Sequence, residues 1–381
     1  MDSNNCFSIA SQELAEFKQL LNTKIEERGK PSLAILFVNA DLDIEGIHTF
    51  LDQWKIPNIG CSAAGELYDD IHEKGIYSGL FMYMSEESFT LYHSNAEKPD
   101  LTGKELGSFT KEAFTNPGVY LLVASKDIQT DNYIQEIQKA TTPEIPLYGG
   151  FAFDNLKFEE YTVFSNGYLS HNGIVAIVFD CDCVEIHGDS YSGWDSIGTY
   201  HTITKSIGNE LLEIDGRPAF DIFNDYFDYL NMEKAAREEE DRLIIGNHPI
   251  KVYEANGSTH LKSPMELDLE KKSLKFYCSI PVGTQFKFCN NPKIEITENL
   301  IQRLESLKGE IRELDCVLIT SCASRDLTLG PFFKREIRQL HGIWDKPMAG
   351  FISGGEIGNV LESNMSYFHN VTSVFTGFKL K

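Results

Sequence analysis

The chain has 381 residues, of which 42% are hydrophobic and 24% charged, and its formal net charge is −23. This length suffices for two or three domains with their own cores, and the composition is typical of globular proteins, which excludes a disordered or fibrous chain. A surface this acidic repels phosphate backbones and anionic headgroups, which disfavours nucleic-acid and membrane binding. The charge is interpreted first as a solubility device, with a basic partner or a cationic ligand as the alternative.

The sequence predicts neither a signal peptide nor a membrane helix. Residues 1–10 have no basic region before an apolar stretch, and no segment approaches about 20 consecutive apolar residues. The eight cysteines form no CxxC pair, and several lie in apolar runs, where reduced thiols behave as small hydrophobes. We therefore expect a cytoplasmic protein.

The first predicted element is an amphipathic helix from Ser11 to Arg28, with Ser11 as its N-cap. A recurring arrangement follows, in which an apolar run typical of a buried parallel strand precedes a helix-compatible stretch and then a proline with a glycine three positions later. The runs are residues 33–40, 119–125 and 316–322, and the proline–glycine pairs are Pro57 and Gly60, Pro146 and Gly149, and Pro347 and Gly350.

Each glycine is followed by short turns that predict antiparallel hairpins, and then by a closing apolar run at residues 79–84, 173–179 or 373–378. Helices are also predicted at 217–230 and 297–314, and further strands at 242–290. The charged run 233–242 is interpreted as a solvated helical face.

The predicted fold class is therefore mixed α/β, with three repeated strand–helix–strand-plus-hairpin units that form mixed sheets in two domains. The N-terminal helix occupies residues 1–30, a domain with two units residues 31–220, and a domain with the third unit residues 221–381. The boundary is expected near residues 215–235.

Three segments resemble signatures of the FIST signal-transduction family, in its stand-alone bacterial form. Residues 60–66 (GCSAAGE) are similar to the signature of its N domain, while residues 321–330 (SCASRDLTLG) and 350–358 (GFISGGEIG) are similar to motifs of its C domain. The resemblance spans roughly residues 30 to 378. The chain departs from the pattern around Arg325, which lies between Ser324 and Asp326 where glycines are expected.

The resemblance implies an intracellular sensor of a small molecule, an amino acid or a related metabolite. It also implies a signalling partner, such as a histidine kinase or a cyclic-dinucleotide enzyme. Some family members bind haem and sense nitric oxide, so a haem-based sensor is the alternative. The scattered histidines contain no HxxxH motif, and none can be assigned as the axial ligand. No other cofactor is expected.

The chemistry of the candidate site rests on two glutamates and one arginine. Glu66 and Glu356 follow glycines, which allow close approach of a ligand, and Arg325 follows a buried strand at the end where ligands bind in α/β sheets. A carboxylate suits an ammonium group and a guanidinium clamps a carboxylate, so the set would recognise a zwitterion. The predicted ligand-binding residues are Cys61, Ser62, Gly65, Glu66, Asn155, Cys322, Arg325, Gly350, Ser353, Gly354, Gly355 and Glu356.

Alternative interpretations remain open. The glycine bends could simply end strands, with the glutamates capping loops or pairing with Arg325. Cys322 as the nucleophile of an enzyme ranks third, because His341 or His369 would have to approach it through folding. No catalytic residue is therefore predicted, and Cys181-Asp182-Cys183 lacks the further ligands that a zinc site needs.

Overall fold

The computed structural model describes residues 5–96, 98–126, 130–141, 145–229, 245–290, 296–311, 313–360 and 363–381. Its α-helices are α1 (Leu14–Arg28), α2 (Ile44–Trp54), α3 (Pro99–Ala113), α4 (Thr130–Ala140), α5 (Ala219–Phe227), α6 (Ile296–Glu310), α7 (Ala323–Leu329) and α8 (Pro331–Trp344). None of these described helices has both the length and the apolarity to cross a bilayer. The charged run 233–242 lies outside the described residues.

The strands confirm the mixed α/β class. They are β1 (Cys6–Ser11), β2 (Leu33–Asn39), β3 (Asn58–Ala63), β4 (Glu66–Tyr68), β5 (Ile71–Glu73), β6 (Tyr77–Met82), β7 (Phe89–Asn95), β8 (Pro117–Ala124), β9 (Leu147–Phe151), β10 (Val163–Ser165), β11 (Tyr168–Ser170), β12 (Gly173–Asp180), β13 (Val184–Tyr191), β14 (Ser196–Ile207), β15 (Glu210–Ile214), β16 (Arg217–Pro218), β17 (Ile250–Tyr253), β18 (Thr259–Lys262), β19 (Pro264–Asp268), β20 (Ser273–Phe276), β21 (Gln285–Cys289), β22 (Cys316–Cys322), β23 (Met348–Ser353), β24 (Gly355–Val360), β25 (Ser363–His369) and β26 (Ser373–Leu380).

Three of the sheets share one strand order. The first is β1-β6-β2-β3-β10-β11, the second β7-β12-β8-β9-β24-β25, and the third β13-β26-β22-β23-β4-β5. Each has one parallel pair at its centre, β2 with β3, β8 with β9, and β22 with β23, connected through helices. These parallel strands are covered on both faces, which explains why their sequences are continuous apolar runs.

The short hairpins are exchanged among these sheets. The hairpin β4–β5 follows the first parallel pair but pairs with β23 of the third sheet, while β10–β11 joins the first sheet and β24–β25 the second. A fourth sheet has eight strands. It consists of β14–β16, which precede α5, and β17–β21, which follow α5. Strands from both sides of residues 215–235 therefore share sheets, so the sequence-based boundary is not a boundary between sheets.

The main core lies where the first three sheets face one another. Phe37 of β2 stacks on Phe351 of β23 with ring centroids 4.7 Å apart, and the hydroxyl of Tyr120 on β8 lies 3.4 Å from that of Thr320 on β22. These rings and the aliphatic side chains around them are buried in a single cluster. The cluster holds the carboxyl ends of the three parallel pairs near one another.

The start of the chain differs from its prediction. Residues 6–11 form the edge strand β1, paired with β6, and α1 begins at Leu14 rather than after a Ser11 cap. The Ser11 hydroxyl accepts from the Glu13 amide at 3.0 Å and donates to the Glu16 carboxylate at 2.6 Å. A six-residue edge strand next to a helix cap gives little periodicity from which to predict it.

The glycine after each proline lies opposite the first strand of its parallel pair. A β-carbon on Gly350 would lie 2.1 Å from the Ile319 carbonyl oxygen, and one on Gly149, whose φ is +141°, would lie 1.8 Å from that of Leu121. On Gly60 it would meet the Phe164 ring at 2.1 Å. These positions require glycine because another backbone or a ring occupies the space of the side chain.

We predict that Gly350→Ala lowers the free energy of unfolding by about 3 kcal/mol, since the new methyl group must displace a strand backbone in a packed core. Urea denaturation monitored by circular dichroism measures this change. The matched control is Gly309→Ala on α6, where an added β-carbon meets nothing within 4 Å and stability should stay equal or rise slightly. Equal denaturation midpoints for Gly350→Ala and the parent would contradict the packing described here.

Candidate functional site

The predicted ligand-binding residues form two clusters, one around Glu66 and one around Glu356. Both glutamates are fully buried. Glu66 Oε2 accepts hydrogen bonds from the amides of Gly75 at 3.1 Å and Ile76 at 3.0 Å, and Oε1 accepts from Asn39 Nδ2 at 3.2 Å. The Glu66 carboxyl thus ties the hairpin β4–β5 to the segment before β6 and to the end of β2.

Burial raises the pKa of Glu66 to about 8, although the three N–H donors that face it lower that pKa. The carboxyl therefore changes charge near neutral pH while enclosed by backbone. Its neighbour Cys61 lies in the core, and burial and the Glu66 charge raise the pKa of its thiol. Cys61 accordingly packs as a small hydrophobe.

Ser62 and Gly65 form hydrogen bonds where hairpins are exchanged between the sheets. The Ser62 hydroxyl accepts from the Thr162 amide at 3.0 Å, and the Ser62 amide donates to the Thr162 carbonyl oxygen at 2.9 Å. The Gly65 carbonyl oxygen accepts from the Ile352 amide at 2.8 Å. Both residues therefore bind the backbone of other units.

Arg325 forms a fully buried ion pair with Glu336 of α8. Its Nε and Nη2 donate to the two Glu336 oxygens at 3.0 and 2.8 Å, and its Nη1 donates to the Ser192 carbonyl oxygen at 2.5 Å. Both side chains of the pair are 0% exposed. The guanidinium predicted to clamp a ligand carboxylate is thus occupied by an internal carboxylate, and Arg325 lies in the first turn of α7 rather than in a loop.

The second cluster surrounds Glu356. Ser353 Oγ lies 2.6 Å from Glu356 Oε1 and 3.2 Å from the Ser321 carbonyl oxygen, and the Thr372 amide donates to Glu356 Oε2 at 3.3 Å. One hydroxyl proton cannot serve both acceptors of Ser353, whereas a protonated Glu356 donating to Ser353 satisfies all three groups. Burial accordingly holds the pKa of Glu356 well above its usual range.

Cys322 lies beside this carboxyl without a histidine base. Burial and the Glu356 charge raise the pKa of the Cys322 thiol to about 12. His369 Nε2 lies 3.0 Å from the Gly358 carbonyl oxygen, and His341 Nε2 lies 4.0 Å from Asp69. Among the contacts of the described residues, neither histidine is bonded to the Cys322 thiol.

The remaining glycines of this cluster also have structural contacts. The Gly354 amide donates to the Phe151 carbonyl oxygen at 3.0 Å, and Gly355 pairs with Phe151 across β24 and β9. A β-carbon on Gly355 would lie 2.4 Å from the Phe368 ring. With Gly350 packed on β22, all three glycines shape strand contacts.

A cavity of about 380 Å³, here called the junction cavity, lies between the two clusters. Parts of all three units line it, at or just after the carboxyl ends of β2, β3, β9 and β22. Such strand ends are where ligands usually bind in α/β sheets. The lining residues are Asn39, Asp41, Leu42, Ala64, Lys74, Gly75, Asn155, Leu156, Ala323, Asp326, Leu327 and Ile352.

Asn155 is the predicted residue that lines this cavity. It has a left-handed backbone with φ of 57°, and its Nδ2 donates to Asn39 Oδ1 at 3.0 Å and to Asp41 Oδ2 at 2.9 Å. Three other lining residues, Ala64, Ala323 and Ile352, directly adjoin the predicted Gly65, Cys322 and Ser353. The predicted residues and the cavity lining are therefore neighbours in the chain but share only Asn155.

The cavity carries charges of both signs around an apolar wall. Lys74 Nζ lies 3.6 Å from Asp326 Oδ2, and His72 Nδ1 lies 3.8 Å from Asp326 Oδ1. Asp41 pairs with Lys157, which lowers the pKa of that carboxyl. Sequence reasoning missed Asp41, Lys74 and Asp326. Asp41 could have been selected from the sequence, because it directly follows the first apolar run. Lys74 could not, because no feature of the sequence around it indicates a site.

The described residues offer no group of three His, Cys, Asp or Glu side chains placed to share a metal ion. Two histidines, His260 and His369, line a second cavity whose wall includes Asp195, Lys251 and Arg303. Burial lowers the pKa of His369 to about 4, so its ring is neutral. Haem requires an apolar slot, and this charged wall does not fit it.

Two models of known protein families match most of the chain. The FIST N domain matches residues 32–217 and the FIST C domain matches residues 219–359. No curated protein matches the chain.

We predict that Arg325→Met lowers the free energy of unfolding by about 3–5 kcal/mol, because it leaves Glu336 buried without its partner. The double variant with Glu336→Leu should recover much of this loss, since no charge is then buried. The control is Arg335→Met, whose pair with Glu298 is exposed and whose loss should cost less than about 1 kcal/mol. Denaturant titration measures the free energy of unfolding of each variant. Equal losses for Arg325→Met and Arg335→Met would contradict a structural role of Arg325.

A pH titration tests the environment of Glu66. Because the pKa of Glu66 is raised from 4.5 to about 8, the unfolded chain ionises first as pH rises, and the parent loses stability between these values. We expect Glu66→Gln to gain stability relative to the parent over this range, by at most about 1.4 kcal/mol per pH unit. Glu73→Gln, which removes an exposed carboxylate from the same hairpin, serves as the control. A constant difference between Glu66→Gln and the parent across this range would contradict the raised pKa.

Proposed function

Because the chain belongs to the FIST family, whose domains act in sensory signal transduction, we propose that it binds its small-molecule signal in the junction cavity. The observation that carries this proposal is the meeting of all three units around one cavity with charged groups of both signs. A ligand there contacts residues of each of the three units. Binding can therefore alter how they pack against one another.

The ligand that suits this cavity is an amino acid or a related zwitterion. Lys74 supplies a cation for a carboxylate, and Asp326, whose side chain is 10% exposed, supplies an anion for an ammonium group. Leu42, Leu327 and Ile352 provide apolar contacts for a side chain. The volume of about 380 Å³ is at the small end of the usual range for ligand sites, which favours a metabolite over a larger molecule.

Transmission of the signal is proposed to run through Glu66. Gly75 lines the cavity, and its amide and that of Ile76 bond the Glu66 carboxyl, which begins β4. Movement of Lys74 toward a ligand would shift this amide pair and hence the hairpin in the third sheet. The proposed downstream partner, a histidine kinase or a cyclic-dinucleotide enzyme, is carried over from the family resemblance alone.

The test is calorimetric titration of the parent with the amino acids that raise its melting temperature in a thermal-shift screen. We expect Lys74→Met and Asp326→Asn each to weaken binding about tenfold or more, because each removes a charged hydrogen bond to the ligand. Lys111→Met on α3, outside the cavity, removes the same charge and should bind as the parent does.

Two outcomes would overturn the proposal. One is a screen in which no amino acid or related metabolite raises the melting temperature. The other is full affinity in both cavity variants. A stoichiometric Soret band after incubation with haemin, which we do not expect, would instead direct attention to the family's haem-binding members.

A further inference from the structure

His72 lies behind the wall of the junction cavity, on the short strand β5. Its side chain is 6% exposed, and its ring packs edge to face on the Phe333 ring of α8 with centroids 4.9 Å apart. Gly65 leaves room for the imidazole, since a β-carbon there would lie 3.2 Å from His72 Nε2. The cavity lining includes Asp326 and Lys74 but not His72, so any effect of His72 on a ligand passes through these neighbours.

Neither ring nitrogen of His72 has a hydrogen-bond partner among the described residues. An imidazole ring carries an N–H donor in both its neutral and its protonated form. Buried polar groups are nearly always hydrogen-bonded, so an exception requires an explanation. Asp326 Oδ1 lies 3.8 Å from His72 Nδ1, just outside hydrogen-bond distance. A small movement of either side chain would close this gap.

The Asp326 carboxylate lies between two side chains that can bond it. Its Oδ2 is 3.6 Å from Lys74 Nζ, and its Oδ1 faces His72. Both distances exceed the length of a hydrogen bond, and within the described parts of the chain the carboxylate accepts none, although Asp326 is only 8% exposed. A carboxylate held this loosely is free to bond the ammonium group of a ligand, and equally free to bond a protonated imidazole.

The charged groups that face His72 decide its protonation. They are Asp326 of α7, Lys74 directly after β5 and Lys334 of α8. Burial lowers the pKa of His72 below its usual value, the Asp326 carboxylate raises it, and the two lysines lower it again. The ring is therefore neutral at neutral pH and takes up a proton as the medium becomes acidic.

We propose that His72 is a positioning residue for Asp326 that makes ligand binding in the junction cavity depend on pH. This inference rests on the proposed function, in which Asp326 bonds the ammonium group of the ligand. Neutral His72 leaves the carboxylate to that group. Protonated His72 donates from Nδ1 to Asp326 and neutralises its charge, so the proton and the ligand compete for one carboxylate. Acidification therefore releases the ligand, and the ligand in turn hinders protonation of His72.

The contact itself is tested without a ligand, by a nuclear magnetic resonance titration of the histidine rings in the full chain. Asp326→Asn should shift the titration midpoint of His72 to lower pH by about half a unit or more, because it removes the anion that favours the protonated ring. Lys74→Met should shift this midpoint to higher pH. His93, an exposed residue of β7, is the control in the same spectra and should keep its midpoint. An unchanged His72 midpoint in Asp326→Asn would overturn the proposal.

Calorimetric titration then measures the effect on binding, with L-leucine as the probe because the cavity wall includes apolar side chains such as Leu327. We expect the parent to bind L-leucine several-fold more weakly near pH 5 than near pH 7. In His72→Gln, whose side chain cannot be protonated, most of this difference should disappear, whereas His93→Gln should keep it in full. Glu66 titrates alike in all of these proteins, so its contribution cancels from the comparison.

Equal weakening of L-leucine binding in the parent and in His72→Gln would overturn the proposal. If His72→Gln does not fold, the parent decides, because binding near pH 5 should then release protons. Calorimetry in two buffers of different ionisation enthalpy measures this release, and its absence would count against the proposal in the same way.

A failure of the proposed function has a different signature. In that case neither L-leucine nor another amino acid binds, while the His72 midpoint still shifts in Asp326→Asn. The pH control of binding then fails together with the proposed function, although the contact between His72 and Asp326 is established.

Discussion

The exchange of hairpins among the three sheets is the constraint on which the rest of the structure depends. A parallel pair whose second strand stayed uncovered would present a row of unpaired amides and carbonyls. Here β10, β24 and β4 cover β3, β9 and β23 respectively, and each comes from a different unit than the strand it covers. No sheet of the three is complete without another unit, so their stability is shared rather than divided between domains.

The same exchange explains why the most conspicuous charged residues lie in the interior. Glu66 begins a strand that enters another sheet, and its carboxyl bonds the backbone of the sheet that the strand has left. The pair of Arg325 and Glu336 joins α7 to α8, and the Arg325 guanidinium also donates to the Ser192 carbonyl oxygen after β13. These groups fix contacts between elements of the fold, whereas the ligand contacts that we propose involve Lys74 and Asp326, which border the junction cavity.

Much of this arrangement could be predicted from the sequence, because its signals are local. The apolar runs, the crossover lengths and the glycines opposite Ile319 and Leu121 express contacts within one strand–helix–strand unit. The partner of each hairpin could not be predicted, since the hydrogen bonds of Leu67 with Gly350 leave no trace in the spacing of either segment. The contacts of the site residues could not be predicted for the same reason. Arg325 has the residue type and position of a ligand clamp, and only the fold shows that Glu336 occupies it.

The hairpin at residues 66–73 completes a sheet whose partner strand is made near the end of the chain, at residues 348–353. At synthesis rates of about 5–20 residues per second, the hairpin waits on the ribosome for tens of seconds before that partner exists. Strand β26, which lies between β13 and β22, arrives later still. The nascent chain therefore carries unpaired strand edges through most of its translation, and such edges are prone to pairing with the wrong strand.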